Sequence, residues 1–164
     1  MGGKSTTGVA FATVLALTAT TLLAQESSDQ DVKTAVRAAW DTYITAFSDG
    51  RTDIVAEQVY AAPSYVLGTT GGTVRMTTHE TQKGFDQIHQ TLQRERYDRT
   101  ETDHVEICVL NEGTALLTAR YTRYRTNDEV LTSGASGYLF GMLDGQWKIL
   151  AIMGNPDDKL VVCD

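Results

Sequence analysis

The sequence predicts an α+β domain in which three helices pack on a strongly bent antiparallel sheet. Three observations carry that expectation. An amphipathic helix, a glycine and a second short helix occupy Ala38 to Tyr60. From Thr102 onward, period-two alternation replaces helical spacing. A tryptophan strand, DGQWKILAIM from Asp144 to Met153, closes the pattern. Helices followed by long strands give a sheet curved around helices, and the interior of such a sheet is where a pocket forms.

The first segment stands apart from the domain. Lys4 precedes a stretch without charge from Gly8 to Ala24. Residues 1–24 therefore read as a secretory signal peptide cut after Ala24. A membrane anchor is the alternative, but a run this short and rich in Thr and Ala is marginal for spanning a bilayer. No cysteine stands at the cleavage site, so lipid attachment is not expected there. Residues 25–30 read as a polar, flexible lead, and 31–164 as one domain.

Within that domain, Val32, Val36, Ala39, Trp40, Tyr43, Ile44 and Phe47 recur at steps of three and four, the stripe of a helix. Gly50 suits the left-handed residue that ends it. A shorter helix from Thr52 to Tyr60 would bury Ile54, Val55 and Val59, and Pro63 forbids its continuation. Tyr65 to Leu67 reads as a strand, Gly71-Gly72 as a hairpin turn, and Thr73 to Met76 as the partner strand. Thr77 and Glu80 have the spacing of a capping box. The third helix would present Phe85, Ile88 and Leu92 inward and end near Arg96, with Arg94, Arg96 and Arg99 facing the negative end of its dipole.

Strands follow at His104–Leu110, Thr114–Thr126, Val130–Leu143 and Gln146–Met153. The turns between them are Asn111–Gly113, Asn127–Glu129 and the strong hairpin signal Asp144-Gly145. Gly134 and Gly137, inside the third of these strands, read as a bulge or bend.

The net charge is −7, and loss of Lys4 would make it one unit more negative. That balance argues against nucleic acid or an anionic membrane surface as a partner. Two cysteines, Cys108 in a strand and Cys163 beside the C-terminus, either form one disulfide tying the tail to the sheet or remain as two thiols. Neither has CxxC spacing. His79, His89 and His104 show no ligand spacing, so no metal is expected. GxSxG, GxGxxG and P-loop motifs do not occur, and no cofactor is expected.

The order of these elements resembles the nuclear transport factor 2-like superfamily, also called SnoaL-like, which includes ketosteroid isomerases and scytalone dehydratase. The resemblance runs from about Asp31 to Asn155. It rests on Trp40, Tyr43, Phe47, Asp49-Gly50, Asp53, Tyr60, Gly68 and the block Asp144–Ile149. It implies a cone open at its wide end, with acid–base residues inside it in the enzymes. Tyr43, seven residues before Gly50, matches the isomerases' oxyanion-donating tyrosine. Their carboxylate base corresponds to Leu67, give or take one residue, and Val66 and Gly68 offer no substitute. Asp103-His104 is the candidate for the dehydratases' histidine–aspartate arrangement. Adjacent strand residues face opposite ways unless a bulge intervenes, so His104 also reads as a half-exposed strand-end residue.

In the strand from Thr114, the face Ala115, Leu117, Ala119, Tyr121, Arg123 is the more apolar and is assigned inward. Arg123 would then bind an anion near the mouth or, as surface arginines more often do, pair with a rim acid. Trp40, Tyr43, Tyr121, Arg123, Tyr138 and Met142 are the candidate ligand contacts, although aromatics at such spacing equally serve a core. Three functions compete. The first is a secreted or periplasmic domain binding a small apolar or amphipathic molecule. The second is an isomerase, dehydratase or cyclase using Tyr43 with Asp103 or His104. The third is a homodimerising interaction module joined through the outer sheet face.

Overall fold

The structure is a computed structural model that describes residues 14–163, with side chains from Ser28. Helix α1 (Val14–Ser48) turns Val32, Val36, Trp40, Tyr43 and Phe47 into the core, as their spacing requires. It starts earlier than expected. Residues 25–30, expected as a flexible lead, are helical and continuous with it. Extending a helix already anchored by its packed half adds a hydrogen bond per residue without a new nucleation cost. Of the expected signal segment, residues 1–13 lie outside the described residues and 14–24 form the start of α1. Among the described residues, no helix is long and apolar enough to cross a membrane.

Gly50 ends α1 at φ +71°. The Arg51 N–H donates to the Ala46 carbonyl at 2.8 Å and the Gly50 N–H to Phe47 at 3.2 Å, the two bonds of a Schellman cap. One α-helical turn, α2 (Thr52–Ile54), runs on as π-helix over Val55–Val59. Tyr60, expected as its last residue, instead begins strand β1 (Tyr60–Gly68). Pro63, which follows a cis peptide bond, lies where the pairing of β1 with the last strand is interrupted. A residue without an N–H fits such a gap.

Strand β2 (Gly71–Arg75) pairs back on β1 with Gly68 opposite Gly71. The turn is therefore Thr69-Thr70, not Gly71-Gly72. Gly72 already lies in the strand, where a Cβ would meet the Leu67 side chain at 2.8 Å. Helix α3 (Thr78–Arg94) opens with the expected capping box, Thr77 Oγ1 accepting from the Glu80 N–H at 3.1 Å. Its buried face is Thr81, Phe85, His89 and Leu92, so His89 takes the place expected for Ile88. The Phe47 carbonyl accepts from His89 Nε2, which satisfies the ring inside the core.

Strands β3 (Tyr97–Asn111), β4 (Thr114–Arg125), β5 (Val130–Leu143) and β6 (Gln146–Asn155) complete one sheet of order β2-β1-β6-β5-β4-β3. The sheet is mixed rather than wholly antiparallel, because β1 and β6 run parallel. From the β1–β2 hairpin the chain crosses through α3 to the opposite edge, then meanders inward until β6 reaches β1. Gly134 and Gly137 make no bulge, since β4 and β5 stay in register from Thr114 to Arg123. They provide space instead: a Cβ would lie 2.7 Å from Tyr121 Oη at Gly134 and 3.0 Å from Met153 Cε at Gly137.

Cys108 and Cys163 form a disulfide with their Cα atoms 5.4 Å apart. Val105, Ile107 and Val109 pack on the core, so Cys108 faces the outer side of the sheet. The disulfide therefore ties the C-terminal tail to the outer side of β3. There the Cys163 N–H also donates to Glu106 at 3.0 Å.

Candidate functional site

The helices and the concave sheet face enclose an aromatic core. Tyr43 is its hub, with ring centroids 5.4 Å from Trp40, 5.7 Å from Tyr60 and 5.8 Å from Tyr138. Beside this cluster lies a cavity of about 100 Å³. Tyr43, Tyr121 and Tyr138 line it together with Ser136. Phe47, Val66, Phe85 and Ile152 supply apolar wall. Arg75 from β2 and Arg123 from β4 complete the lining, and with Ile88 they also border an outer groove of about 430 Å³ along α3. The arginines and Ile88 thus stand at the neck between groove and cone.

The site contains hydrogen-bond donors and cations but no base. Burial pushes the Tyr43 phenol above its ordinary value, against smaller opposing pulls from the Tyr60 hydroxyl and the Arg123 charge. Tyr60 and Tyr138 are raised well above theirs by the same desolvation. The Tyr60 hydroxyl lies near Tyr43 without a partner of good hydrogen-bond geometry. No carboxylate or imidazole among the described residues lines the cavity. Among the described residues, no group of His, Cys, Asp or Glu is arranged to hold a metal ion.

A family model described as "NTF2-like protein (DUF6841)" matches residues 30–157. The chain belongs to this family. Solved structures with the same fold include an NTF2-like protein with a cystatin-like fold from Novosphingobium aromaticivorans, at TM-score 0.68 and 13% identity over 84% of this chain and 90% of that one. A candidate scytalone dehydratase from the same organism gives TM-score 0.64 and 14% identity over 80% and 87%. A candidate calcium/calmodulin-dependent protein kinase II association domain from Xanthomonas campestris gives 0.56 and 18% over 76% and 86%. At such identities the likeness is one of fold. No curated protein matches the sequence.

In this NTF2-like cone the expected site residues divide. Tyr43, Tyr121, Arg123 and Tyr138 line the cavity. Trp40 does not; it lies behind it, 2% exposed, edge-on to Tyr138 at 4.6 Å. Met142 is 40% exposed near the Glu112–Gly113 turn and is not a pocket residue. Leu67 is 41% exposed and faces outward, and Val66 is the inward residue of β1 at that level. The base position is apolar either way.

Asp103 and His104 are not in the cone. A register shift between Thr102 and His104 makes Asp103 the extra residue of a bulge, which sends its carboxylate outward to Arg120 at 3.0 Å. His104 lies outward as well, 3.8 Å from Glu106. Among the described residues Arg123 forms no ion pair with a rim acid; its guanidinium lies over the rings of Tyr121 at 4.9 Å and Phe47 at 5.3 Å. Sequence reasoning did not single out Arg75, whose only signal was a basic residue at the inward-facing end of a short hairpin strand.

Proposed function

We propose that the cone binds a small molecule with an apolar or amphipathic body, in a protein exported to an oxidising compartment. The observation that carries this reading is the lining: aromatic and aliphatic walls, a few convergent polar groups, and no base. Proton abstraction requires a base within reach of substrate. Burial keeps Tyr43 a donor, and Asp103 and His104 lie outside, so an isomerase or dehydratase mechanism here has half of its acid–base pair. Export is supported by the uncharged run Gly8–Ala24 and by the Cys108–Cys163 bridge, since disulfides persist where thiols are oxidised. Assembly through the outer sheet face has less support, because the Asp103–Arg120 ion pair and the disulfide-tied end of the tail lie on that side.

Saturation-transfer NMR with one-ring probes, benzyl alcohol and benzoate, tests the pocket. Transfer to at least one is expected, and Val66→Phe, whose ring fills the cavity, should remove it. Transfer that survives this substitution places binding elsewhere and overturns the reading. For export, the intact mass of protein from its own host is expected to begin at Gln25; a mature chain retaining Met1 counts against it.

A further inference from the structure

The cavity brings together two cations and no anion. The chain has 21 acidic residues, yet among the described residues no carboxylate lines this space. Arg75 Nη1 and Arg123 Nε are buried and have no acceptor among the described residues. A guanidinium stays charged and presents its N–H groups in a planar fork, so buried, unfilled positions on two of them are costly. Aromatic faces offset part of that cost: Arg75 lies 5.0 Å from the Phe85 centroid, and Arg123 lies over Tyr121 and Phe47. Rings cover the face of a guanidinium, however, and leave its in-plane donors unfilled.

Two glycines make room for this arrangement. Gly84 lies inside α3, where glycine is less favourable than alanine. A Cβ there would lie 2.5 Å from Arg75 Nη2. Gly134 similarly admits Tyr121, whose ring supports Arg123. The space is shaped around the cations from α3 and β5, two separate elements.

Resting on the pocket reading above, we infer that the occupant is a small carboxylate, its head bridged by Arg75 and Arg123 at the neck and its apolar body inside the cone. A carboxylate's two oxygens match the donor forks of two guanidiniums without adding further charge to an apolar interior. The size of the body follows from the volume. An apolar cavity of roughly 150 Å³ holds benzene, so about 100 Å³ takes a body of one ring or smaller.

Titration calorimetry of the full chain with benzoate and its neutral isostere benzamide, in buffer free of phosphate and sulfate, tests this assignment. Benzoate should bind at least about tenfold more tightly, as charge-assisted hydrogen bonds require. Arg75→Met and Arg123→Met should each bring that ratio towards one while benzamide binding persists. Gly84→Ala keeps both charges and favours the helix, so it should weaken benzoate without lowering the melting temperature. Equal binding of the two probes to the wild type, or benzoate affinity unchanged in the arginine variants, overturns the charge assignment and leaves the pocket reading standing. If neither probe binds while benzyl alcohol still shows saturation transfer, the carboxylate assignment fails alone; if none of the three binds, both fail.

Discussion

Gly50 occupies a left-handed conformation with the His89 ring 3.3 Å from where a Cβ would stand. Gly50→Ala should therefore destabilise the protein by roughly 1–2 kcal/mol, from backbone strain alone before His89 is displaced. A urea midpoint equal to that of the wild type would show that the cap tolerates a side chain. Gly50 was legible because its role follows from local spacing at a helix end. Tyr43 was legible as a core residue from the helical stripe, and as a site residue only through the family resemblance. His89 was not, since an apolar stripe passes over a histidine whose satisfaction depends on a carbonyl 42 residues away. Arg75 was hidden for a similar reason: its surroundings, Phe85 and Gly84, belong to another element.

At the level of elements, pairing explains most departures from expectation. The bulge at Asp103 reverses which residues of β3 face inward, with Thr102 opposite the inward Tyr121 but Val105 opposite the inward Ala119. Alternation alone left that choice open. The C-terminal tail is held chiefly by its disulfide, which closes a loop with a sequence separation of 55. Chain entropy for a loop of that length sets an upper stabilisation of about 4 kcal/mol. Cys163→Ser is expected to lower the melting temperature under non-reducing conditions to that of the reduced wild type. Identical melting temperatures for the variant and the oxidised wild type would mean that the tail contributes no stability.

Across the whole molecule, the buried tyrosines couple stability to alkaline pH. Tyr43, Tyr60 and Tyr138 are all raised above the ordinary phenol value of 10.0 by desolvation. The unfolded chain therefore releases these protons first. Their contribution is fully present below about pH 10 and is lost as the pH climbs from there towards the folded-state values. Denaturant midpoints should hold steady up to about pH 9 and fall above about pH 10, less steeply in Tyr138→Phe. Equal slopes in variant and wild type would remove the phenol as the cause. What the sequence alone determined was a bent sheet packed on helices, through its helical stripe, glycine cap, capping box, alternating strands and the inward face of β4, each written in neighbouring residues by period and turn chemistry. The cone followed from the family resemblance. Tertiary structure alone decided the character of the interior. Strand pairing put Val66 rather than Leu67 inward, a bulge removed Asp103, and the packing of β2 and α3 against the sheet brought Arg75 into the same cavity lining as Arg123 of β4. Contacts between distant segments depend on register and on the space left by small residues, and neither is encoded in a local pattern.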